Sequence, residues 1–213
     1  KQTHINFMNV EFPENKFINF IKSNKKIFIY IISILLLIIA LAFWFFYDSK
    51  KDKIEISENF IKAKILLESQ NEKDATTILK EIVKKKNTIY SSLSLFLLID
   101  ENLIEDKKII LDYFDMVISS NSYSEEDINL LKLKKAIYIS DIQEEQEMLK
   151  LLNPIIKSNS VWKIQSLRFL GDFYYSISQF KKAKQYYSIL LEEEDNQISK
   201  AEINRKIDSI NNE

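Results

Sequence analysis

The residues that carry most enzyme chemistry are almost missing from this 213-residue chain. It contains no cysteine, one histidine, one glycine and two prolines. The sequence therefore offers no thiol nucleophile, histidine triad, Cys/His zinc site or glycine-rich phosphate loop. The one histidine, His4, lies near the start of the sequence, where side chains are usually solvated. We expect no cofactor and no metal site.

Carboxylates are plentiful in the sequence. Runs such as Glu144-Glu145 and Glu192-Glu193-Glu194-Asp195 could supply acid and base groups. That chemistry requires two carboxyl groups in a cleft whose environments push their pKa values apart. Consecutive acids in a polar helical stretch indicate a solvated surface instead. The sequence predicts no catalytic residue and no small-molecule substrate, with an unfamiliar carboxylate enzyme as an alternative.

The charge balance argues against nucleic acid as a partner. The chain has 30 Lys and Arg residues against 31 Asp and Glu residues, so it lacks the basic excess typical of polyanion binding. The cluster Lys84-Lys85-Lys86 could contact phosphates. Because lysine is abundant throughout the chain, we interpret this cluster as a solvated helix face.

Residues 27–47 are predicted to span a membrane. Their sequence, IFIYIISILLLIIALAFWFFY, has no charged residue and would form a helix about 31 Å long. Aromatic residues crowd its C-terminal end and lysines flank both ends, so we expect Ile27, Trp44 and Tyr47 to mark the anchor and to contact membrane lipid. A cleaved signal peptide is the alternative, since Ala40-Leu41-Ala42 has the small-x-small form. The apolar run is too long for one.

The flanking charges leave the orientation of this span open. Lysines precede and follow it in equal number, and the positive-inside rule counts only Lys and Arg. Residues 1–26 form a tail too short for a domain, and the chain begins at Lys1 instead of Met, which is compatible with a start further upstream. The predicted organisation is a tail at 1–26, a span at 27–47 and one domain at 48–213.

The C-terminal domain is predicted to be helical throughout. Apolar residues recur at spacings of three and four, without an alternating run long enough for a sheet. Ser124 followed by Asp127 predicts a capping box, Ser57 predicts a cap for the first helix, and Pro154 should kink or end the sixth. The predicted helices are 55–69, 73–86, 88–99, 106–119, 125–140, 144–157, 161–177, 180–194 and 197–210.

The only glycine lies in a pattern that resembles the tetratricopeptide repeat, a hairpin of two helices, A and B. The matching residues are Leu167, Leu170, Gly171 and Tyr174 on helix A, followed by Ala183 and Tyr187 on helix B. The resemblance implies that small residues at 171 and 183 let the helices approach closely while the tyrosines fill the space beside them. Leu167 replaces the usual Trp, and Asp195 stands where Pro is expected. Any helical hairpin that tolerates a glycine is the alternative.

Weaker matches to the same repeat motif elsewhere in the chain predict a stack of four hairpins and a final helix. Ala63 and Ala75 repeat the interval between Gly171 and Ala183. The final helix is expected to seal the stack with Ile198, Ile203, Ile207 and Ile210. The fold prediction is therefore all-α, with one N-terminal transmembrane helix followed by a tetratricopeptide-like helical-hairpin solenoid.

The whole arrangement resembles a bacterial family, the ancillary SecYEG translocon subunits or YfgM-like membrane proteins. The resemblance rests on the single span, on Tyr90-Ser91-Ser92-Leu93, and on VWKIQSLRFLGDFYYSISQFKKAKQYY followed by INRKIDSI, and it is sharpest over 149–210. It implies an inner-membrane protein with a cytoplasmic N-terminus and a periplasmic domain. The implied partners are translocon subunits and a membrane-anchored periplasmic chaperone, and the implied role is in protein export.

Two alternatives accompany this resemblance. The same parts would suit an assembly scaffold for cell division or another envelope machine, and only the identity of the partners separates the two roles. The aromatic residues of the last hairpin could line a peptide groove, although helical spacing favours packing for most of them. These aromatic residues are Trp162, Tyr174, Tyr175, Tyr186 and Tyr187.

Overall fold

The computed structural model describes residues 24–141, 144–193 and 200–211. Side chains at 28, 42, 44–51 and 211 lie outside this description, as does most of the predicted tail. All regular structure in the described ranges is helical, which confirms the all-α prediction. The described helices are α1 (Lys25–Glu68), α2 (Glu72–Lys84), α3 (Tyr90–Asp100), α4 (Lys107–Ile118), α5 (Glu125–Ser140), α6 (Glu145–Ile156), α7 (Lys163–Ser176), α8 (Phe180–Glu192) and α9 (Lys200–Asn211).

Helices α2 to α9 agree with the predicted ranges to within a few residues, whereas α1 does not. The sequence predicts separate helices at 27–47 and 55–69, but α1 is continuous. No glycine or proline interrupts residues 48–54, so nothing in this charged stretch breaks a helix. Ser57 consequently lies inside α1, and the prediction that it caps a helix is wrong.

The predicted capping box is confirmed. The Ser124 hydroxyl accepts from the backbone N–H of Asp127 at 3.2 Å, and the Asp127 carboxylate accepts from the N–H of Ser124 at 3.3 Å, which completes the capping box of α5. Pro154 lies inside α6, which continues beyond it to Ile156, so the helix does not end at the proline and the kink stays a prediction. The proline ring crowds the turn before it and leaves the residues after it free to stay helical.

The chain divides into two compact units between Glu55 and Ile56, within α1. In the first unit, the described side chains of α1 from Ile27 to Phe43 are almost all apolar, and the large ones are more than half exposed. The Ser33 hydroxyl donates to the carbonyl of Ile29 at 2.8 Å. Among the residues with a described placement, no helix has both the length and the apolarity that crossing a membrane requires.

The second unit is a stack of helical hairpins with repeating packing. Its A helices are α1 from Ile56 onward, α3, α5 and α7, and its B helices are α2, α4, α6 and α8. Buried residues recur at a constant interval along the last three A helices. They are Ser91, Leu95 and Leu98, then Asn129, Leu133 and Ala136, then Leu167, Gly171 and Tyr174.

The core of this unit forms two clusters. Leu79, Leu95 and Phe114 belong to the N-terminal cluster, which lies among the first helices of the stack. Leu152 and Leu170 belong to the C-terminal cluster, which reaches α9. Tyr138 packs against both clusters, so the described helices of the unit share one continuous apolar interior.

Aromatic side chains connect successive hairpins. The Tyr123 hydroxyl donates to the carbonyl of Asn87 at 2.9 Å, and the Trp162 indole N–H donates to the carbonyl of Glu126 at 2.9 Å. Each pair is separated by 36 residues, so the same contact recurs between neighbouring hairpins. These bonds fix the starts of α5 and α7 to the start of the A helix before each of them.

Three A helices end at a residue with left-handed backbone conformation. Gln70, Asn102 and Ser178 have φ values of 62°, 50° and 57°. The following N–H groups donate back to helix carbonyls in Schellman motifs, namely Asn71 to Leu66 at 2.8 Å, Leu103 to Leu98 at 2.9 Å, and Gln179 to Tyr174 at 2.9 Å. Glycine usually fills such positions, and this chain makes the turns without it.

The turn after α2 supports a matched pair of substitutions. Lys86 has φ of 53° and Lys85 has φ of −69°, and both side chains are exposed. Glycine removes the steric cost of the left-handed conformation, so Lys86→Gly should raise the free energy of unfolding by about 0.5 to 1 kcal/mol. Lys85→Gly should lower it by a similar amount through backbone entropy. Urea unfolding followed by circular dichroism measures both, and a loss of stability in both variants would contradict the assignment.

Candidate interaction surface

The residues of the predicted repeat motif lie together in the C-terminal core cluster. All of them are buried, and α7 and α8 place them in the interior of the last hairpin. They are Leu167, Leu170, Gly171, Tyr174, Ala183 and Tyr187. Of the final-helix residues, Ile203 is buried in this cluster while Ile207 and Ile210 pack against it; Ile198 is outside the described residues.

Gly171 allows α7 and α8 to approach closely. A Cβ atom built at this position would lie 2.6 Å from Cδ1 and 3.1 Å from Cζ of Tyr187. The Tyr187 ring cannot easily move away, because its side chain is fully buried and its hydroxyl donates to the Asp172 carboxylate at 2.7 Å. The glycine therefore lies where no side chain fits.

Two of the three predicted anchor residues have no described side chain. Ile27 lies near the start of α1 and is 57% exposed. Trp44 and Tyr47 also lie on α1, and their side chains are outside the described set. The predicted aromatic boundary of the span therefore stays a prediction.

The aromatic residues of the last hairpin pack against one another and against the core. Tyr174 stacks on Tyr186 with ring centroids 5.5 Å apart, and Tyr175 meets Phe180 edge to face at 5.7 Å. Tyr174 and Tyr187 are buried, and Trp162, Tyr175 and Tyr186 are half-buried. This arrangement favours the packing interpretation over a peptide groove in the last hairpin.

Glu145, at the start of α6, is held by two donors. Its carboxylate accepts from Lys182 Nζ at 2.7 Å and from the Tyr174 hydroxyl at 2.7 Å. The hydrogen bond from Lys182, followed by that from Tyr174, lowers the pKa of Glu145. An open depression of about 560 Å³ is lined by residues 144–147. A carboxyl group whose pKa is lowered stays ionised near neutral pH and is poorly suited to donate a proton.

The buried tyrosines predict a loss of stability in alkali. Burial raises the pKa of Tyr187, and the hydrogen bond to Asp172 and the charge of Asp172 raise it further. Burial and then Glu145 raise the pKa of Tyr174 in the same way. Since the folded-state pKa lies above the unfolded value of about 10, their stabilisation is complete below that pH and is lost as the pH rises.

Tyr187→Phe isolates this effect. Because the phenol ionises in the unfolded state but not in the folded state, each such tyrosine should make the free energy of unfolding fall by up to about 1.4 kcal/mol per pH unit above about pH 10. The variant should lose this contribution, so its stability should fall less steeply than that of the wild type. Urea unfolding between about pH 9 and 11 gives the two slopes. Equal slopes would mean that Tyr187 is not held neutral by the fold.

One face of the A helices makes polar contacts with α9 in the last hairpin. We define the A-row face as the residues that directly follow the recurring buried positions described above, for example Phe96 after Leu95, Lys134 after Leu133 and Asp172 after Gly171. On α7, α9 contacts this face through three pairs, each separated by 34 residues. They are Arg168 Nη2 with Glu202 Oε1 at 2.8 Å, Lys206 Nζ with Asp172 Oδ1 at 2.5 Å, and the Tyr175 and Ser209 hydroxyls at 3.3 Å.

The A-row face of α3 and α5 is open in the described part of the chain. It contains Phe96 and Ile99 on α3, and Leu130, Lys134 and Ile137 on α5. Lys134 and Ile137 are exposed and the other three are half-buried. Lys134 Nζ lies 5.7 Å from the centroid of the Phe96 ring. The sequence analysis did not identify these residues, because the interval from Leu95 to Leu133 to Gly171 is longer than the roughly 34 residues of the tetratricopeptide repeat and is evident only in the structure.

No group of three or more His, Asp and Glu residues is arranged to hold a metal ion within the described ranges. Apart from Ser92 and Lys134, the A-row face of α3 and α5 is apolar. Comparison of the chain with protein-family models, with curated proteins and with solved structures gives no match.

Proposed function

We propose that this protein is a membrane-anchored protein-interaction module whose C-terminal domain is tetratricopeptide-like. The observation that carries the proposal is the open A-row face of α3 and α5, where apolar side chains and a lysine lie on neighbouring helices. Stacked hairpins present such faces to other proteins. The close contact of Gly171 with Tyr187 supports the tetratricopeptide-like assignment, because it lies at the small-residue position of the motif.

The anchor in this proposal is residues 27–47. They carry no charge, and the large apolar side chains described on α1 up to Phe43 are more than half exposed to solvent. Such a surface is unfavourable in water and favourable in a bilayer. Ser33 donates its hydroxyl proton to a carbonyl of the same helix, which leaves no unsatisfied donor at that point.

The cellular role in this proposal rests on the family resemblance. The chain would assist protein export beside translocon subunits and a membrane-anchored periplasmic chaperone, with its N-terminus in the cytoplasm and its domain in the periplasm of a bacterial inner membrane. An envelope or cell-division scaffold is the alternative that uses the same surface. The proposal assigns no catalytic residue, cofactor, nucleic acid or small-molecule substrate.

Photocrosslinking in intact cells tests this proposal. A photoreactive amino acid at Ile137 probes the A-row face, another at Leu36 probes the anchor, and one at Lys150, on the exposed side of α6, is the control. We expect translocon or chaperone chains to be captured from Ile137 and lipid from Leu36. Capture of division or cell-wall proteins from Ile137 would favour the scaffold role. Release of the chain from membranes by alkaline carbonate would overturn the anchor.

A further inference from the structure

Two exposed apolar side chains lie at equivalent turns of the hairpin stack. Val161 and Ile89 are 67% and 60% exposed, more than any other large apolar side chain described in the second unit. Ile89 lies in the turn from α2 to α3, and Val161 lies in the turn from α6 to α7. An exposed lysine precedes each of them by four residues, namely Lys85 and Lys157. Two turns of the same type thus present the same pair of side chains, one basic and one apolar.

Side-chain acceptors hold both turns in place. The Ile89 N–H donates to Asn87 Oδ1 at 3.0 Å, and the Val161 N–H donates to Glu126 Oε2 at 3.2 Å. The Ser160 hydroxyl donates to the same carboxylate oxygen at 2.7 Å. The fold therefore fixes these two apolar side chains outside the core instead of turning them inward.

The two turns lie at the edge of the stack where the second unit begins. The hydrogen bonds of Tyr123 and Trp162 already join the starts of α3, α5 and α7 at this edge. On α1, the Phe60 ring lies 5.5 Å from the ring of Tyr90, the first residue of α3. The unit begins at Ile56, one helical turn before Phe60. Its first residues and the two turns therefore share one edge, which we call the entry edge.

Lysines supply the charge of the entry edge. Four of them are exposed and form no ion pair with any residue that the structure describes. They are Lys84, Lys85, Lys86 and Lys157. Two acids at the start of α5 are engaged within the stack, because Glu126 accepts from the turn before α7 and Asp127 completes the capping box. Positive charge is thus placed directly beside the exposed Ile89.

We propose that the entry edge binds the surface of an anionic lipid bilayer. Its lysines contact lipid phosphates, and Ile89 and Val161 enter the interfacial region, where apolar side chains flanked by basic ones bind favourably. The inference rests on the anchor of the proposed function. Residues 48–55 connect the proposed span to Ile56, and even a fully extended connection of this length reaches only about 30 Å. This tether favours a bilayer as the occupant, because it keeps the entry edge close to one.

Site-specific fluorescence quenching tests the contact on the full chain. The sequence has no cysteine, so Ile89→Cys and Val161→Cys each give one attachment site for a fluorophore. The labelled chain is reconstituted into vesicles of phosphatidylcholine, with or without an equal part of phosphatidylglycerol, that contain a lipid with a nitroxide on its headgroup. Ile177→Cys, at an exposed apolar residue that ends α7, is the control at the other edge. With phosphatidylglycerol we expect quenching at 89 and 161 to exceed that at 177 by roughly twofold, and without it we expect no excess.

Charge substitutions test the part played by the lysines. Lys84→Gln, Lys85→Gln and Lys86→Gln together should weaken the contact by roughly 100-fold, the effect of about three lysines near an anionic surface, and abolish the excess quenching at 89. The control variant removes the same charge from exposed positions away from the entry edge and should leave the quenching unchanged. It combines Lys73→Gln, Lys150→Gln and Lys181→Gln.

A label at Leu36→Cys separates this inference from the proposed function. Leu36 is exposed on α1 within the proposed anchor, so a nitroxide on the lipid acyl chain should quench it. If Leu36 is quenched while 89 and 161 match 177, the inference is overturned and the anchor stands. Without quenching at Leu36, both fail. Excess quenching that persists in neutral vesicles or in the lysine variant would also overturn the inference, as would photocrosslinks in cells from Val161 to a protein instead of lipid.

Discussion

Gly171→Ala is expected to lower the free energy of unfolding by about 2 kcal/mol. The added methyl group would lie 2.6 Å from a carbon of the buried Tyr187 ring, and overpacking of this severity costs about 3 kcal/mol. Alanine recovers about 1 kcal/mol of that cost because it favours the helix more than glycine does. Urea unfolding of the full chain, followed by circular dichroism, measures the difference.

A second substitution at Tyr187 tests the cause. Gly171 lies in α7 without positive φ, so alanine adds no backbone strain there. In a Tyr187→Leu background the ring is gone, and Gly171→Ala should become neutral or stabilising. The non-additivity of the two changes measures their contact directly. A loss of about 2 kcal/mol in both backgrounds would show that Tyr187 is not the obstacle.

Leu152→Ala is expected to lower the free energy of unfolding by about 3 kcal/mol. The Leu152 side chain is fully buried on α6 within the C-terminal cluster, and truncation would leave a cavity among its neighbours. Because Leu170 and Tyr174 lie in the same cluster, the loss should reach the last hairpin. Urea unfolding measures the loss, and hydrogen exchange on α7 should show faster opening.

Leu151→Ala is the matched control for this truncation. Leu151 is adjacent in sequence and equal in size, but it is only half-buried at the edge of the same cluster. Its truncation should lower the free energy of unfolding by about 1 kcal/mol, since less apolar area returns to water. Equal losses from both variants would mean that the interior of α6 is not packed as described.

Most of the fold prediction rests on short-range sequence patterns. The spacing of apolar residues determines which face of each helix is buried, and this pattern gave the ranges of α2 to α9 to within a few residues. Ser124 and Asp127 fixed the start of α5, because a capping box depends only on neighbouring residues. The error at α1 arose where a polar stretch was interpreted as a break, although no residue in it ends a helix.

The open part of the candidate surface was harder to predict than the repeat motif. Gly171 is conspicuous because it is the only glycine, and its spacing to Ala183 pointed to close helix packing. Lys134 and Lys135 look alike in sequence, yet one is exposed over Phe96 and the other is buried against Asp115. Their difference depends on helices α3 and α4, which are distant in sequence, so no local pattern reports it.

The sequence by itself determined the helical class, the uncharged segment at 27–47 and the close-packed hairpin around Gly171, because each depends on composition or short-range spacing. Only the tertiary structure decided which charges are paired. The partners of Arg168 and Asp172 lie 34 residues away on α9, and that distance is bridged only when the hairpins stack. The same stacking leaves Lys134 without an ion pair among the described residues.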